Sequence, residues 1–440
     1  MKLEPYEKYK ESGVEWLKKI PKHWVIGRVK QIGEVNGRVG WKALKASEYV
    51  DEGYFFLSTP NIKNKDIDFK NVNYITKERY DESPEIILKV DDILLTKDGS
   101  TLGTVNIVKY LPSEGTVNSS IAVLRFNNDY ENNYVFYQIL SNYIQNVVKL
   151  KKDGAGVPHL FQRDINLFNI LTPPISEQTS IATYLDHQTT LIDQKIDLLS
   201  QKIEKYQELK KSLINETVCR GLDPTVPMKD SGVEWIGEVP RHWEVKRVKD
   251  IFRLERGKFT HRPRNDARMY ENGKYPFIQT GDVSRSGKYV RSYKQVLNEE
   301  GIKVSREFKA GTLVMTIAAN IGDVAILSFD SYFPDSIMSF HTNHNIDYLY
   351  YLLETTKQEL DTVKVTNTQD NLNLERLNGL LKILPPFSEQ YQIASYLDEK
   401  IAKIELITSN LSQQINTLKE LRKTLINDVV TGKLKAPPTA

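Results

Sequence analysis

Ser12 to Lys30 reads SGVEWLKKIPKHWVIGRVK and Ser231 to Lys249 reads SGVEWIGEVPRHWEVKRVK; laid together without a gap, 11 of 19 positions are identical. Chance matching would give about one. A repeat of this kind sets the organisation of the chain before any single element is assigned. A second pair supports it: Leu171 to Asp186, LTPPISEQTSIATYLD, lies on Ile383 to Asp398, ILPPFSEQYQIASYLD, with 10 of 16 identical. The first pair is offset by 219 residues and the second by 212, so the stretch between anchors is seven residues shorter in the second copy. The copies agree at their ends and diverge in the middle.

Weaker matches survive inside that middle. Phe56 to Ile62, FLSTPNI, resembles Phe277 to Val283, FIQTGDV, and reads as the same strand. Asp91 to Val108 and Ala310 to Leu327 align at the 219 offset, each reading as strand, Gly-containing turn, strand. Short runs of Ile, Leu, Val and Thr between Gly, Asp and Ser carry the β assignment. Each copy is therefore expected to be a mixed α/β (α+β) domain.

Both copies then pass through Pro-Pro into a long helical pattern, with Ser176 or Ser388 expected as the capping residue and Glu177 or Glu389 in the first turn. In the first helix Leu185, Ile192, Leu199, Tyr206 and Leu213 recur every seven residues, with Ile196 and Ile203 beside them. In the second, Leu397, Ile404, Leu411, Leu418 and Leu425 do the same, with Ile401 and Ile415. These are heptad stripes. Ser176 to Val218 is 43 residues, roughly 65 Å of helix. Each helix could simply pack on its own domain, but two stripes of matched length favour mutual pairing. Antiparallel pairing would place the domains in a pseudo-twofold arrangement. The expected parts are an N-terminal domain over 1–174, a central coiled-coil helix over 175–220, a linker and C-terminal domain over 221–386, a second coiled-coil helix over 387–432 and a tail over 433–440.

The composition agrees with that plan. At 440 residues the chain is too long for one ordinary core, and 40% hydrophobic with 27% charged residues is globular. No stretch approaches the roughly 20 apolar residues of a membrane span, and MKLEPYEKYKESG lacks the apolar core of a secretory signal. A cytoplasmic protein without a membrane partner is expected. Cys219 is the only cysteine, which excludes an intramolecular disulfide or a cysteine-rich zinc site and suits a small buried side chain. The net charge of +3 decides nothing about nucleic acid.

The duplicated SGVEW…IPKHW and SGVEW…VPRHW segments, with the duplicated PPxSEQxxIAxYLD helix starts, resemble the specificity subunits of type I restriction-modification systems. The resemblance runs from about Ser12 to Gly432, in order and twice. It implies two target recognition domains, each binding one half of a split, asymmetric site on double-stranded DNA, with paired helices fixing the gap. It further implies a scaffold for two methyltransferase (modification) subunits and for restriction/translocase subunits. Chemistry and cofactors, S-adenosylmethionine, ATP and Mg, would belong to those partners, leaving none in this chain. Two diverged domains suit an asymmetric site, because identical domains related by a twofold would read a palindrome.

Affinity for DNA comes mainly from Lys and Arg on phosphates, and specificity from groups at base edges. Lys246 to Arg264 carries eight basic residues against Asp250 and Glu255. Arg253, Arg256, Lys258, Arg262 and Arg264 are the phosphate candidates there. Arg38, Lys42 and Lys45 are those of the first copy, with Lys149, Lys151 and Lys152 ahead of Gly154-Ala155-Gly156. For base reading, polar residues in the least similar loops are the candidates, since Asn and Gln suit adenine and Arg and Lys suit guanine. They are Asn61, Lys63, Asn64, Lys97, Ser100, His159 and Gln162, then Asp282, Arg285, Asn320, Asn367, Gln369 and Asn371. Ordinary turn chemistry competes for each. Trp16, Trp24, Trp235 and Trp243 flank a proline turn and are expected to pack rather than stack on bases, with His23 and His242 in the same element.

Signs of catalysis are weak. The prolines at 173–174 and 385–386 lack the preceding Asn or Asp of an adenine methyltransferase motif, no GxxxxGK[ST] loop or HExxH occurs, and Glu244-Val245-Lys246 has no counterpart in the first copy. No catalytic residue and no metal site is expected. The rival readings are an autonomous DNA-modifying enzyme and a coiled-coil scaffold that binds no DNA.

Overall fold

The computed structural model describes residues 3–38, 44–152, 159–233, 236–356 and 374–438, without the side chains of 151 and 152. The chain forms two compact units, Met1–Ser200 with Ser412–Ala440, and Gln201–Leu411. The fold is mixed α/β, built as two tandem domains and two long helices, Ile175–Arg220 of 46 residues and Phe387–Val430 of 44. Each helix is shared between the units.

In the first unit a four-stranded antiparallel sheet has the order Gly33–Asn36, Ile121–Phe126, Ile93–Thr96, Val105–Ile107. A three-stranded sheet sets Tyr54–Leu57 between Asn73–Ile75 and a parallel Gly115–Val117. The second unit has five strands, Arg253–Arg256, Ile337–His341, Leu313–Thr316, Val324–Leu327 and Tyr289–Val290. Its smaller sheet has four, with Tyr275–Phe277 parallel to Ser331–Tyr332. The central strands ILLT and LVMT are buried at every position, which is why they read as continuous apolar runs rather than alternating ones. One alignment needs adjustment. Leu95 pairs with Val105, whereas Met315 pairs with Val324, so the turn is one residue shorter in the second copy and the gapless match slips across it.

The duplicated motifs form the joints between domain and helix. Glu131 N–H and Asn345 N–H donate to Gln178 and Gln390 (both 3.0 Å), whose amides donate to the Pro173 and Pro385 carbonyls (2.9 and 2.8 Å). Tyr134 and Tyr348 hydroxyls donate to Leu171 and Ile383 carbonyls, both at 3.0 Å. Ser176 and Ser388 are not the caps. Both helices begin one residue earlier, with the Pro174 and Pro386 carbonyls accepting the first helical bonds.

Trp24 and Trp243 are fully buried and join two helices each. Trp24 Nε1 donates to Glu177 in the first turn of one long helix (3.2 Å), with His23 Nε2 2.8 Å from the same carboxylate. Its ring lies against Gly432, just beyond the end of the other helix. Trp243 repeats this with Glu389 (3.0 Å), His242 (2.7 Å) and Gly221. Accordingly Ile426, Val429 and Val430 enter the core of the first unit, and Ile214, Val218 and Cys219 that of the second. Burial pushes the Cys219 thiol up to about 11.

Within each unit the two helix segments run antiparallel. In the first, Glu177 and Gly432 meet around Trp24 while Arg422 pairs with Asp193 (3.1 Å). In the second, Lys210 pairs with Glu405 (2.7 Å). The two ion pairs are equivalents, since both members shift by 212 between helices. Along the helices Leu185, Ile192, Leu397, Ile401, Ile404, Leu411 and Ile415 are buried, and Ile196, Leu199, Ile203, Leu213, Leu418 and Leu425 half-buried. Off-stripe Leu198 and Leu406 are exposed.

Gly432 has φ +73, and a β-carbon there would lie 2.4 Å from Pro21 Cδ and 3.1 Å from Trp24. Gly13, at φ +70, has nothing within 4 Å. Gly13→Ala is expected to cost about 1–2 kcal/mol for the left-handed backbone alone. Gly432→Ala is expected to cost more, read as a lower denaturation midpoint; equal midpoints would contradict the clamp.

Candidate nucleic-acid interface

Four base-reading candidates of the first copy gather around one turn and the segment that covers it. Lys97 lies at the start of the turn between Ile93–Thr96 and Val105–Ile107, and Ser100 is exposed on it. The Lys97 carbonyl accepts from Leu160 N–H (2.8 Å), which draws in His159 and Gln162. His159 Nδ1 bonds Asp98, and Gln162 and Lys97 both reach within 4 Å of a β-carbon position on Gly37. Lys97 and His159 are half-buried and Gln162 exposed. The result is a small surface of mixed donors and acceptors, which suits base edges.

A second loop holds the remaining three. Lys63 is exposed and paired with Asp68 (2.8 Å), and Asn64 is exposed. Hydrogen bonds from the Asn71 side chain, from Lys63 and from backbone N–H groups together hold the Asp68 carboxyl well below the usual range. Asn61 departs from expectation. It is buried, its Nδ2 donates to the Asp68 and Asn71 carbonyls (3.1 and 2.7 Å), and its Oδ1 accepts from Ser58 N–H (2.9 Å). The amide organises the loop and is not presented to a base.

In the second copy three candidates meet again, on the short helix Thr280–Arg285 and the turn after Leu313–Thr316. Asn320 Nδ2 donates to Ser284 Oγ (2.9 Å), and Arg285 Nη2 donates to Asp282 (2.6 Å). Arg285 and Asn320 are exposed. Asp282 is buried and also accepts from Gln279 N–H (2.9 Å), so it is held within the domain and in turn holds Arg285. Asn367, Gln369 and Asn371 lie outside the described residues.

The basic cluster is exposed but partly neutralised from within. Arg256 Nε donates to the Asp335 carbonyl (2.8 Å), and Arg264 pairs with the Asp335 carboxylate. Arg262 donates to two backbone carbonyls of its own loop. Arg253 and Lys258 are exposed and have no ion pair among the described residues. In the first copy Lys45 and Lys149 are exposed, while Lys42 and the side chains of Lys151 and Lys152 lie outside the description. Arg38 is the clear correction. It is 3% exposed, faces the Phe56 ring at 5.9 Å, and donates to the Arg79 carbonyl (3.4 Å). Burial, with Arg79 second, lowers its affinity for the proton. A side chain buried on its own domain cannot clamp phosphate.

Among the tryptophans, Trp24 and Trp243 pack as expected, but Trp16 is 55% exposed; Trp235 is outside the description. Glu244 and Lys246 form an ion pair (2.6 Å), an ordinary use of their spacing. The helpers that sequence reasoning missed are Asp98, Ser284 and Asp335. Each acts on a residue remote in the chain or already assigned, and nothing in its local sequence marks it.

Residues 21–207 and 240–417 match the family described as type I restriction modification DNA specificity domain. The MjaVIII type I restriction enzyme specificity subunit of Methanocaldococcus jannaschii is 24% identical, covering 97% of both chains. The EcoKI specificity subunit of Escherichia coli is 20% identical over 95% of this chain and 90% of that one. Among solved structures, a chain from work on complex assembly and conformational transition of the type I system superposes with a TM-score of 0.72 at 16% identity, covering 94% and 99%. The HsdS subunit of Thermoanaerobacter tengcongensis gives 0.51 at 16%, covering 94% and 98%.

Two substitutions separate affinity from selectivity. Lys258→Ala is expected to weaken binding alike on all sequences and to flatten its salt dependence by about one counterion. Asn320→Ala is expected to cost about 1–3 kcal/mol of discrimination at one half-site. Binding titrations on cognate and altered duplexes check both, and uniform loss from Asn320→Ala would reject its role.

Proposed function

Because the chain belongs to the family of type I restriction-modification DNA specificity domains, we propose that it is the specificity subunit of such a system, reading a split, asymmetric DNA sequence with one domain per half-site. The observation that carries this is a framework whose joints are repeated beneath polar surfaces that differ. The joints at Gln178 and Gln390, and at Trp24 and Trp243, are duplicated. The Lys97–His159–Gln162 surface and the Arg285–Asn320 surface share no side-chain pattern.

In this account the chain does no chemistry. Two modification subunits transfer the methyl group from S-adenosylmethionine, and restriction subunits use ATP and Mg for translocation and cleavage, all in the cytoplasm. Phosphate contacts come from Lys45, Lys149, Arg253 and Lys258, with Arg256, Arg262 and Arg264 beside them; base contacts come from the two surfaces described above. The long helices set the gap between half-sites and offer a docking face to the partners. Exposed Leu209 and Leu421, at equivalent positions 212 apart, are suited to that face. No helix among the described residues is long and apolar enough to cross a membrane.

Purified chain mixed with labelled S-adenosylmethionine and DNA is expected to transfer no methyl group until modification subunits are added. Transfer by the chain alone would sink the proposal. Removing one heptad from each long helix shortens it by about 10 Å, or about three base pairs. The preferred gap is expected to shrink accordingly, and an unchanged gap would refute the ruler.

A further inference from the structure

Asp186 and Asp398 occupy the same position in the two long helices, and each accepts a hydrogen bond from a tyrosine of its own domain, Tyr137 (2.6 Å) and Tyr351 (2.5 Å). In the second copy a lysine joins them. Lys288 Nζ lies 2.6 and 2.8 Å from the two oxygens of Asp398 and 2.8 Å from Asp347, with the Tyr351 ring 5.0 Å away. Its side chain is only 13% exposed. Tyr289, the next residue, donates to Asp347 from its hydroxyl (2.9 Å). A lysine this far from water is costly unless its charge is matched, and two carboxylates match it. In the first copy the loop-to-helix pair is Lys65 with Asp197, exposed by 59% and 51%, and exposed pairs contribute little.

The place of Lys288 in the chain gives this pairing a consequence. It follows Arg285 by three residues, its carbonyl accepts from Ile326 N–H (2.8 Å), and Tyr289–Val290 then joins the main sheet. The lysine therefore stands between the short helix that presents Arg285 and holds Asn320 and the long helix that carries Asp398. We propose that Lys288 is a positioning residue of the second recognition domain, whose ion pairs with Asp398 and Asp347 fix the Arg285–Asn320 surface to the long helix. Sharp discrimination at one half-site then depends on a residue that acts through others. This rests on the DNA-reading function proposed above.

The test uses the complex reconstituted with its modification subunits and compares methylation of its mapped site with that of sites changed by one base in either half. Lys288→Met is expected to lower the cognate-to-altered ratio about tenfold in one half-site, the half that responds to Asn320→Ala, and to leave the other unchanged. Lys288→Arg is expected to restore most of the loss. A wild-type ratio in Lys288→Met, or equal losses in both halves, overturns the positioning role. If Lys288→Met fails to fold, Asp347→Asn, which keeps the Asp398 pair, decides: a smaller loss in the same half supports the proposal and unchanged selectivity overturns it. A wild-type complex that methylates no split site would sink the DNA-reading function instead.

Discussion

The structure depends on a buried tryptophan that holds the beginning of one long helix and the end of the other. Trp24 donates to Glu177 and packs on Gly432; Trp243 donates to Glu389 and packs on Gly221. Burying an indole is strongly favourable only if its N–H finds an acceptor, and here the acceptor is a carboxylate in a helix's first turn. The far end of the other helix supplies the remaining wall of the core through Ile426, Val429 and Val430, or Ile214 and Val218. Neither domain closes its core with local sequence alone. A helix whose far end is buried in this way cannot slide along its neighbour within the unit.

Divergence is tolerated wherever that joint is left intact. The polar bonds of the framework involve residues of the two duplicated motifs, so the segments between them are free to change in length and side chain. The turn after the central strand loses one residue in the second copy, and the flanking strands keep the same pairing. Recognition surfaces can thus differ while the fold that carries them does not. In the same regions Arg264 pairs with the Asp335 carboxylate, Arg256 donates to the Asp335 carbonyl, and Lys63 pairs with Asp68.

The framework was legible in the sequence because each joint needs specific partners twice over, and duplication marks them. The Trp-Glu clamp draws on both anchors, although only the folded chain joins Trp24 to Glu177 across 153 residues. Ser176 and Ser388 look like caps in the sequence, yet the helices already begin at the proline carbonyls before them. The recognition surfaces were less legible. An asparagine in a polar loop looks alike whether it faces solvent, as Asn320 does, or is consumed by neighbouring carbonyls, as Asn61 is. Arg38 shows the same limit, since burial against Phe56 has no local sequence signal.

The most direct measurement of the central claim is single-molecule sequencing of DNA methylated by the chain reconstituted with its modification subunits. Two diverged readers on a duplicated framework predict adenine methylation within one asymmetric motif of two unlike half-sites separated by a gap of constant length. A palindromic or uninterrupted motif, or methylation without sequence preference, would contradict it.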